Sequence, residues 1–241
     1  FGAIGDGTMH TVNKWTQIGS KIYYKDLASI QVDYPHVMSL NDSIDWAAAQ
    51  KAVNNTKNVF IPDGLYRFGA NTLIIPNTLS MLKGTGTKSV IYSDAVTAIS
   101  WNTKSRVMYL NMSDINLAGS KVANSKGLDL SGFSYCVFSN IQIRYFNDGI
   151  WGDGTAFNVP YNRQISNNLF SNVRSNNNTN AGIKLVGGSE ANSANTFVSC
   201  EAAGNKYGFY EEQGYCNVSK GCCYQGNSML DFYTNGTNGI H

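Results

Sequence analysis

The 241-residue sequence predicts an all-β fold, a single-stranded right-handed parallel β-helix (a solenoid) with a short N-terminal cap helix. Three observations support this prediction. An apolar strand motif recurs with a period near 22 residues, a second strand recurs between its copies, and Asn, Gly and Ser separate the strands. Many short strands bounded by such residues indicate a β fold, and a fixed period of this length indicates stacked repeats.

The first repeated element is a Gly-apolar-x motif that opens a short strand. Its copies begin at Gly127, Gly149, Gly182 and Gly208, with steps of 22, 33 and 26 residues. Looser copies occupy 98–101 and 229–232. A single unit cannot bury its own apolar strand face, so the units must stack to form a continuous core. The 33-residue step is expected to hold a loop around the segment FNVPYNRQ.

The second repeated element is another apolar strand, which always follows in the same order. Leucine-rich repeats have similar periods, but they need a strict leucine ladder that this sequence lacks. A β-helix coil of two or three strands, with Ile, Val, Phe and Leu inside and Asn, Gly and Ser at the turns, fits better. The copies of this second element occupy 110–115, 137–143, 169–173 and 197–200.

A helix is predicted near 43–54. Asn41, Asp42 or Ser43 can cap its start, and apolar residues then recur at three- and four-residue steps. One end of a solenoid exposes apolar ladders and unpaired strand edges. Trp46 and Val53 are therefore expected to cover that end.

The chain is accordingly divided into two regions. Residues 1–70 form an N-terminal capping region that contains the helix and the first strands, and residues 71–241 form the coils of the β-helix. No pattern of a C-terminal cap is recognisable, so the coils are expected to continue in a longer protein.

Composition and charge exclude several classes of function. Charged residues make up 14% of the chain and the net charge is +2, which gives no basic field for nucleic acid. No apolar run approaches the roughly 20 residues that span a bilayer. The five cysteines show neither paired spacing nor a CxxC motif, so we predict no disulfide framework, metal site or cofactor.

Three N-terminal segments occur in an informative order. FGAIGDG is followed by the helix beginning SIDWAAAQKAV and then by NVFIPDGLYRF, which contains the turn Pro62-Asp63-Gly64-Leu65-Tyr66. In this order the segments resemble the opening of pectate-lyase-like β-helix proteins (the pectate lyase 3 superfamily). The insertion between the first two segments, with DYPHV before the helix, resembles bacteriophage tailspikes and capsular polysaccharide depolymerases. The motif covers 1–70, and the remainder is similar only in its repeats.

This resemblance implies a phage tailspike that recognises a bacterial surface polysaccharide, capsule or O-antigen, and depolymerises it by endo-glycosidic cleavage. It also implies a homotrimer in the virion tail that contacts other tail proteins, is made in the host cytoplasm and acts outside it. Fold alone leaves open a non-catalytic adhesion or structural fibre and a polysaccharide lyase. A secreted plant-polysaccharide lyase is disfavoured because the N-terminus has no signal-peptide pattern.

The side chains available for catalysis are carboxylates, because the few histidines lie outside the repeats and no GxSxG or HExxH motif occurs. Hydrolysis of a glycosidic bond uses two carboxyl groups, about 5–5.5 Å apart for retention or about 6.5–9.5 Å apart for inversion. Coils stack about 4.8 Å apart, so acids at equivalent positions can meet such spacings. The predicted catalytic residues are Asp148, Asp153, Glu211 and Glu212.

Aromatic residues beside these acids are predicted to bind sugar rings. The segment DGIWGD places an acid on each side of Trp151, and Tyr210 lies at the same point of the repeat. The predicted substrate-binding residues are Trp151, Tyr161, Arg163, Tyr210 and Glu190. A lyase would instead need a base and a cation, for which no motif selects among Arg144, Arg163, Arg174, Lys184 and Lys206.

Overall fold

The structure, a computed structural model, describes residues 15–18, 21–24, 26–103, 105–155, 163–187, 191–235 and 238–240. Three parallel sheets wind around one apolar core in this part of the chain, which confirms the predicted parallel β-solenoid with a helix near its start. An antiparallel hairpin, Trp15–Ile18 with Lys21–Tyr24, lies before the coils.

Among the described residues, the first sheet contains twelve strands, and the second and third contain seven each. The first sheet is formed by Asn58–Phe60, Met81–Lys83, Val107–Met108, Asn111–Ser113, Phe133–Ser134, Val137–Ser139, Ile165–Ser166, Leu169–Ser171, Asn192–Ser193, Thr196–Val198, Tyr215–Lys220 and Asn238–Ile240. The second is formed by Gly64–Gly69, Ser89–Ser93, Asn116–Gly119, Gln142–Arg144, Arg174–Asn176, Glu201–Ala203 and Cys223–Gln225. The third is formed by Leu73–Ile75, Thr97–Trp101, Lys126–Asp129, Asp148–Asp153, Ala181–Val186, Tyr207–Glu212 and Leu230–Asn235.

The Gly-apolar-x repeat corresponds to the strands of the third sheet, in the predicted register for the copies at Gly127, Gly149, Gly182 and Gly208. In the looser copy 229–232 the register is shifted by two residues, because Phe232 and not Leu230 pairs with Phe209. Ile150 pairs with Ile183 and Ile183 with Phe209, so equivalent apolar residues form one inward ladder. The glycine of the motif is required by close packing. A Cβ atom at Gly149 would lie 1.9 Å from Oγ of Ser175, which leaves no room for a side chain.

The second repeated element is divided by a corner, which the sequence pattern does not reveal. The predicted stretch 137–143 contains a strand of the first sheet and one of the second, and Asn140 between them has a φ of 53°. Asn172 has a φ of 52° at the same corner of the next described coil. Asn tolerates the left-handed region better than most residues, which explains its abundance at these turns.

The core consists of stacked apolar ladders. Phe138 stacks on Phe170 with ring centroids 4.9 Å apart, and Phe170 stacks on Phe197 at 4.6 Å. Buried amides form a parallel ladder beside them. The side-chain amide of Asn168 donates to Oδ1 of Asn195 (3.0 Å), and that of Asn195 donates to Oδ1 of Asn217 (3.0 Å). These amide ladders satisfy polar groups that would otherwise be buried without partners.

The predicted cap helix is present as Ile44–Asn55, with Ser43 as its N-cap residue. It covers the open edge of the first coil with side-chain hydrogen bonds. Gln50 donates to the carbonyl of Ile74 and accepts from its backbone N–H, both at 2.8 Å, in the manner of a neighbouring strand. Trp46 Nε1 donates to the carbonyl of Thr72 at 2.8 Å. The helix therefore satisfies strand groups that would otherwise remain unpaired.

A second helix, Leu27–Asp33, precedes the cap helix and was not predicted from the sequence. Ile30, on this helix, packs with Tyr34, Val37 and Ala47 in a small cluster outside the main core. Neither of the two helices in the described residues is long and apolar enough to cross a membrane.

Candidate functional site

Three consecutive strands of the third sheet present two rows of outward side chains. The parallel register aligns Trp151 with Lys184 and Lys184 with Tyr210, a set that we call the aromatic row. Two residues further along the strands, Asp153 aligns with Val186, and Glu212 follows in the same register. We call Asp153, Val186 and Glu212 the acid row. All six side chains are half-buried, so each retains an exposed part.

Lysine ammonium groups lie close to the rings of the aromatic row. Nζ of Lys126, from the preceding coil, lies 3.1 Å from the centroid of Trp151, and Nζ of Lys184 lies 5.3 Å from the centroid of Tyr210. Tyr210 also stacks on Tyr233, with centroids 4.6 Å apart. Flat rings suit the apolar faces of sugars, and ammonium groups suit anionic substituents.

The acid row holds two carboxylates with different partners. Asp153 accepts from the backbone N–H of Thr155 at 2.9 Å and forms an ion pair with Arg163 at 3.4 Å. Glu212 accepts a hydrogen bond from the hydroxyl of Tyr210, and this bond, together with burial, raises the pKa of Tyr210. Two coil spacings separate the backbone positions of the acids, roughly 9–10 Å. In inverting glycosidases the two carboxyl groups lie about 6.5–9.5 Å apart, a spacing that side chains extending from these backbone positions can adopt.

An open polar cleft of about 600 Å³ adjoins the aromatic row, at the end where the strands begin. Three lysines contribute to it and give it a positive lining. The residues around the cleft are Asn124, Lys126, Asn147, Asp148, Trp151, Thr179, Asn180, Lys184 and Lys206. Amides and ammonium groups of this kind can bind hydroxyl and carboxylate groups of a glycan.

Lys126 is a half-buried residue of the cleft whose pKa is shifted by its surroundings. Burial lowers the pKa of Lys126, and the nearby carboxylates of Asp129, Asp148 and Asp153 oppose that change. A lysine with a lowered pKa is more readily deprotonated and can act as a base.

Asp148 lines the cleft, and both oxygens of its carboxylate already accept hydrogen bonds. It is 5% exposed, and its Oδ1 accepts from the side-chain amide of Asn180 at 2.6 Å and from the backbone N–H of Ala181 at 3.2 Å. Asn147 donates to Oδ2 at 3.1 Å. These bonds tie together the turns that precede two strands, so Asp148 holds the shape of the cleft.

Glu211 lies on the opposite side of its strand from Glu212 and is fully buried in the coil interior. The side-chain amides of Asn192 and Asn217 donate to its Oε1. Burial raises the pKa of Glu211, and these two hydrogen bonds partly oppose the rise. Because strand side chains alternate between faces, adjacent Glu211 and Glu212 cannot share the outer surface.

The structure brings most of the predicted site residues to one face and separates a few. Asp153, Glu212, Trp151, Tyr210 and Arg163 lie together, Asp148 lines the adjoining cleft, and Glu211 is inside the coil. Tyr161 and Glu190 lie outside the described residues.

Sequence reasoning missed Lys126 and Asp129. Lys126 aligns with Asp148, and Asp129 with Trp151, one coil away. Aligning the repeats position by position, beyond the glycine, would have placed both beside the site. Among the described residues no group of three or more His, Cys, Asp and Glu side chains is arranged to hold a metal ion.

The likeness of this chain to known proteins lies in its fold. The sequence matches no family model and no curated protein, so the pectate-lyase-like resemblance of 1–70 stays a prediction. Solved structures with a similar arrangement include the tailspike protein gp49 from Pseudomonas phage LKA1. That similarity has 13% identity and a TM-score of 0.49, and it covers 86% of this chain and 57% of the tailspike chain.

Two polysaccharide-active enzymes are also similar in arrangement. The catalytic unit of a GH87 alpha-1,3-glucanase from Streptomyces thermodiastaticus has 16% identity and a TM-score of 0.44, over 74% of this chain and 38% of its own. The A-module of the Azotobacter vinelandii mannuronan C-5 epimerase AlgE6 has 12% identity and a TM-score of 0.27, over 80% of this chain and 74% of its own. The chain thus spans less than two thirds of the glucanase and tailspike chains, and the likeness concerns the fold alone.

Proposed function

We propose that this chain is part of a phage tailspike that binds an acidic bacterial surface polysaccharide and cleaves it within the chain by hydrolysis. The observation that carries the proposal is the pair of outward rows on the third sheet. Trp151 and Tyr210 can stack on sugar rings, with Lys184 between them, and the acid row runs directly alongside. Placement in a tail, contact with other tail proteins and a homotrimeric state rest on the N-terminal motif resemblance.

The acidic nature of the substrate is inferred from the lysines. Lys126, Lys184 and Lys206 all line the cleft. The one carboxylate that lines it in the described part of the chain, Asp148, is held by hydrogen bonds from Asn147, Asn180 and Ala181. A polymer with carboxylate substituents, such as one containing uronic acids, would supply the opposite charge. Because these lysines are partly solvent-exposed, their attraction is expected to weaken with added salt.

The catalytic roles are assigned to the acid row. Asp153, paired with Arg163, is the carboxylate proposed to activate a water molecule. Glu212, the other carboxyl group of the row, is proposed to protonate the leaving oxygen. Their backbone positions, roughly two coil spacings apart, leave room for a water molecule between the two carboxyl groups, and we therefore assign an inverting reaction.

A lyase is the second candidate, because Lys126 is a specific observation in its favour. Its lowered pKa suits a base that removes a proton next to a uronate carboxylate, and Lys184 or Lys206 could stabilise the charge that develops. The product would carry an unsaturated end, which distinguishes this reaction from hydrolysis.

The test uses purified capsular polysaccharides, acidic and neutral, and follows chain length, reducing ends and ultraviolet absorbance. Shortening of an acidic polymer with new reducing ends and no absorbance is the expected result. Absorbance from unsaturated ends would replace the hydrolase with the lyase. Binding without shortening would support an adhesin, and no binding to any acidic polymer would contradict the proposal.

Two variants with matched controls test the surface itself. Trp151→Ala and Lys184→Met are each expected to weaken binding about tenfold or more, since aromatic and charged anchors dominate such interfaces. Tyr109→Ala removes an aromatic residue that is 70% exposed at another corner of the coil, and Lys88→Met removes an exposed lysine outside the cleft. Both controls are expected to bind like the unmodified protein. Equal losses in variants and controls would exclude this surface.

A further inference from the structure

Two of the five cysteines occupy the same position in successive coils. Cys200 and Cys222 each directly precede a strand of the second sheet, and those two strands pair in parallel. The backbone N–H of Cys223 donates to the carbonyl of Cys200 at 2.8 Å. The Cα atoms of Cys200 and Cys222 are therefore about one strand spacing apart, roughly 4.8 Å, within the roughly 4.4–6.8 Å that disulfides span.

A hydrogen bond also brings the side chain of Cys222 next to Cys200. The backbone N–H of Cys200 donates to Sγ of Cys222 at 3.4 Å, and the two thiols are in hydrogen-bonding contact. Both side chains point to the inner side of the coil, where Sγ of Cys200 lies 3.5 Å from the carbonyl oxygen of Phe170 and Sγ of Cys222 lies 3.4 Å from that of Phe197. Little rearrangement is needed to join them.

The surroundings make the two thiols chemically unequal. The hydrogen bond from Cys200, with further bonds from Ser219 and Tyr224, lowers the pKa of Cys222. Cys200 is 1% exposed, and its contact with Cys222, followed by burial, raises its pKa. Cys222 is half-buried, so an external reagent can approach it. A thiolate with access to solvent is the attacking species in disulfide exchange.

We propose that Cys200 and Cys222 are a covalent modification site at which a small-molecule disulfide, such as oxidised glutathione, forms a disulfide between two successive coils. The Cys222 thiolate attacks one sulfur of the small disulfide, forms a mixed disulfide and releases one thiolate. Cys200 then attacks the Cys222 sulfur, transfers its proton to the departing thiolate and completes the protein disulfide. The two protein thiols lose two electrons, and the small disulfide gains them and leaves as two thiols.

The bridge would enclose the part of the coil that carries Tyr210 and Glu212. The cysteines lie 22 residues apart, and the strand Tyr207–Glu212 lies between them. Closing such a loop restricts the unfolded chain and so stabilises the folded coil. The modification does not depend on any role of this coil in glycan cleavage.

Peptide mapping tests the connectivity. The protein is incubated with oxidised glutathione, alkylated and digested with trypsin without reduction. Cleavage after Lys184, Lys206 and Lys220 places Cys200 in peptide 185–206, Cys216 in peptide 207–220, and Cys222 with Cys223 in the peptide that begins at Gly221. The expected product joins peptide 185–206 to the peptide beginning at Gly221.

Two serine variants identify the partner of Cys200. Cys223→Ser is expected to retain the cross-link, and Cys222→Ser is expected to lose it. A cross-link that persists in Cys222→Ser, or that vanishes in Cys223→Ser, would overturn the proposal, as would its absence from the oxidised unmodified protein. Far-ultraviolet circular dichroism confirms that each variant has folded before oxidation.

The melting temperature provides the second readout. Oxidation is expected to raise the Tm of the unmodified protein and of Cys223→Ser by roughly 5–10 °C, and to leave the Tm of Cys222→Ser unchanged. A cross-link that forms without raising Tm would contradict the claim that it joins two coils in their folded arrangement.

Discussion

Asp153 and Glu212 lie in one outward row of the third sheet, two coils apart, with Val186 between them. Parallel pairing fixes this relationship, because a slip of one residue between two strands would turn the apolar residues of one strand out of the core. The separation of the backbone positions of Asp153 and Glu212 is therefore set by the fold. Val186, which lies between them, is apolar and carries no charge.

The first prediction concerns this pair. Asp153→Asn and Glu212→Gln, made separately, are each expected to slow polysaccharide cleavage by about 10²–10⁴-fold, because each removes one of the two carboxyl groups that the reaction needs. Binding of the polymer is expected to change little, since the aromatic row stays intact. Reducing-end assays measure cleavage, and surface plasmon resonance measures binding.

Glu201→Gln is the matched control, because Glu201 is an outward acid of the second sheet that pairs with Arg174. It is expected to retain full activity. Proton NMR of the newly formed reducing ends should also show inversion at the anomeric carbon. Full activity in both acid-row variants would remove Asp153 and Glu212 from catalysis.

The second prediction concerns the cap helix. Gln50→Leu is expected to lower the free energy of unfolding by about 2–4 kcal/mol, because it leaves the backbone N–H and the carbonyl of Ile74 without their side-chain partners. Asn55→Ala changes an exposed residue in the last turn of the same helix and should cost less than about 0.5 kcal/mol. Urea unfolding gives both values. Equal stability of the two variants would show that the hydrogen bonds between Gln50 and the backbone of Ile74 do not stabilise the protein.

The third prediction concerns the glycine of the repeat. Gly149→Ala is expected to cost at least about 1–3 kcal/mol, or to prevent folding, because the added Cβ would lie 1.9 Å from Oγ of Ser175 and 2.7 Å from Nδ2 of Asn178. Gly221→Asn is the control, since Gly221 has a φ of 62° with no atom near its Cβ position, at a corner where earlier coils have Asn140 and Asn172. Its cost should be small. Thermal unfolding compares the two, and a tolerated Gly149→Ala would refute the packing explanation.

Much of the fold was predictable from local patterns. The spacing of the glycines identified the strands of the third sheet, and the cap helix was predicted from Ser43 and the apolar steps that follow it. The corner at Asn140 was missed, because a run of alternating residues reads as one strand whether or not its middle residue adopts a positive φ. The role of Gln50 was also invisible, since it depends on a strand edge 24 residues away.

The candidate site was predictable only in part, because its composition depends on register between coils. Trp151 and Tyr210 share a motif position, so their alignment could be read from the sequence. Lys126 reaches Trp151 from the preceding coil, and Lys206 joins the cleft from a later one, so neither belongs to a local motif. Glu211 and Glu212 are adjacent in sequence, but strand alternation places them on opposite faces.

The last prediction follows from the burial of Glu211. Its pKa in the folded protein is raised above the ordinary value of about 4.3 that it has in the unfolded chain. Between these two values the folded state binds more protons than the unfolded state, so stability falls as pH rises. The contribution is fully present below about pH 4.3 and is lost as the pH rises through the folded pKa. Glu211→Gln, which cannot ionise, should therefore gain stability relative to the unmodified protein as pH rises from 4 to 8. Urea unfolding at several pH values measures the difference between the two proteins. A pH-independent difference for Glu211→Gln would mean that Glu211 does not titrate as a buried acid.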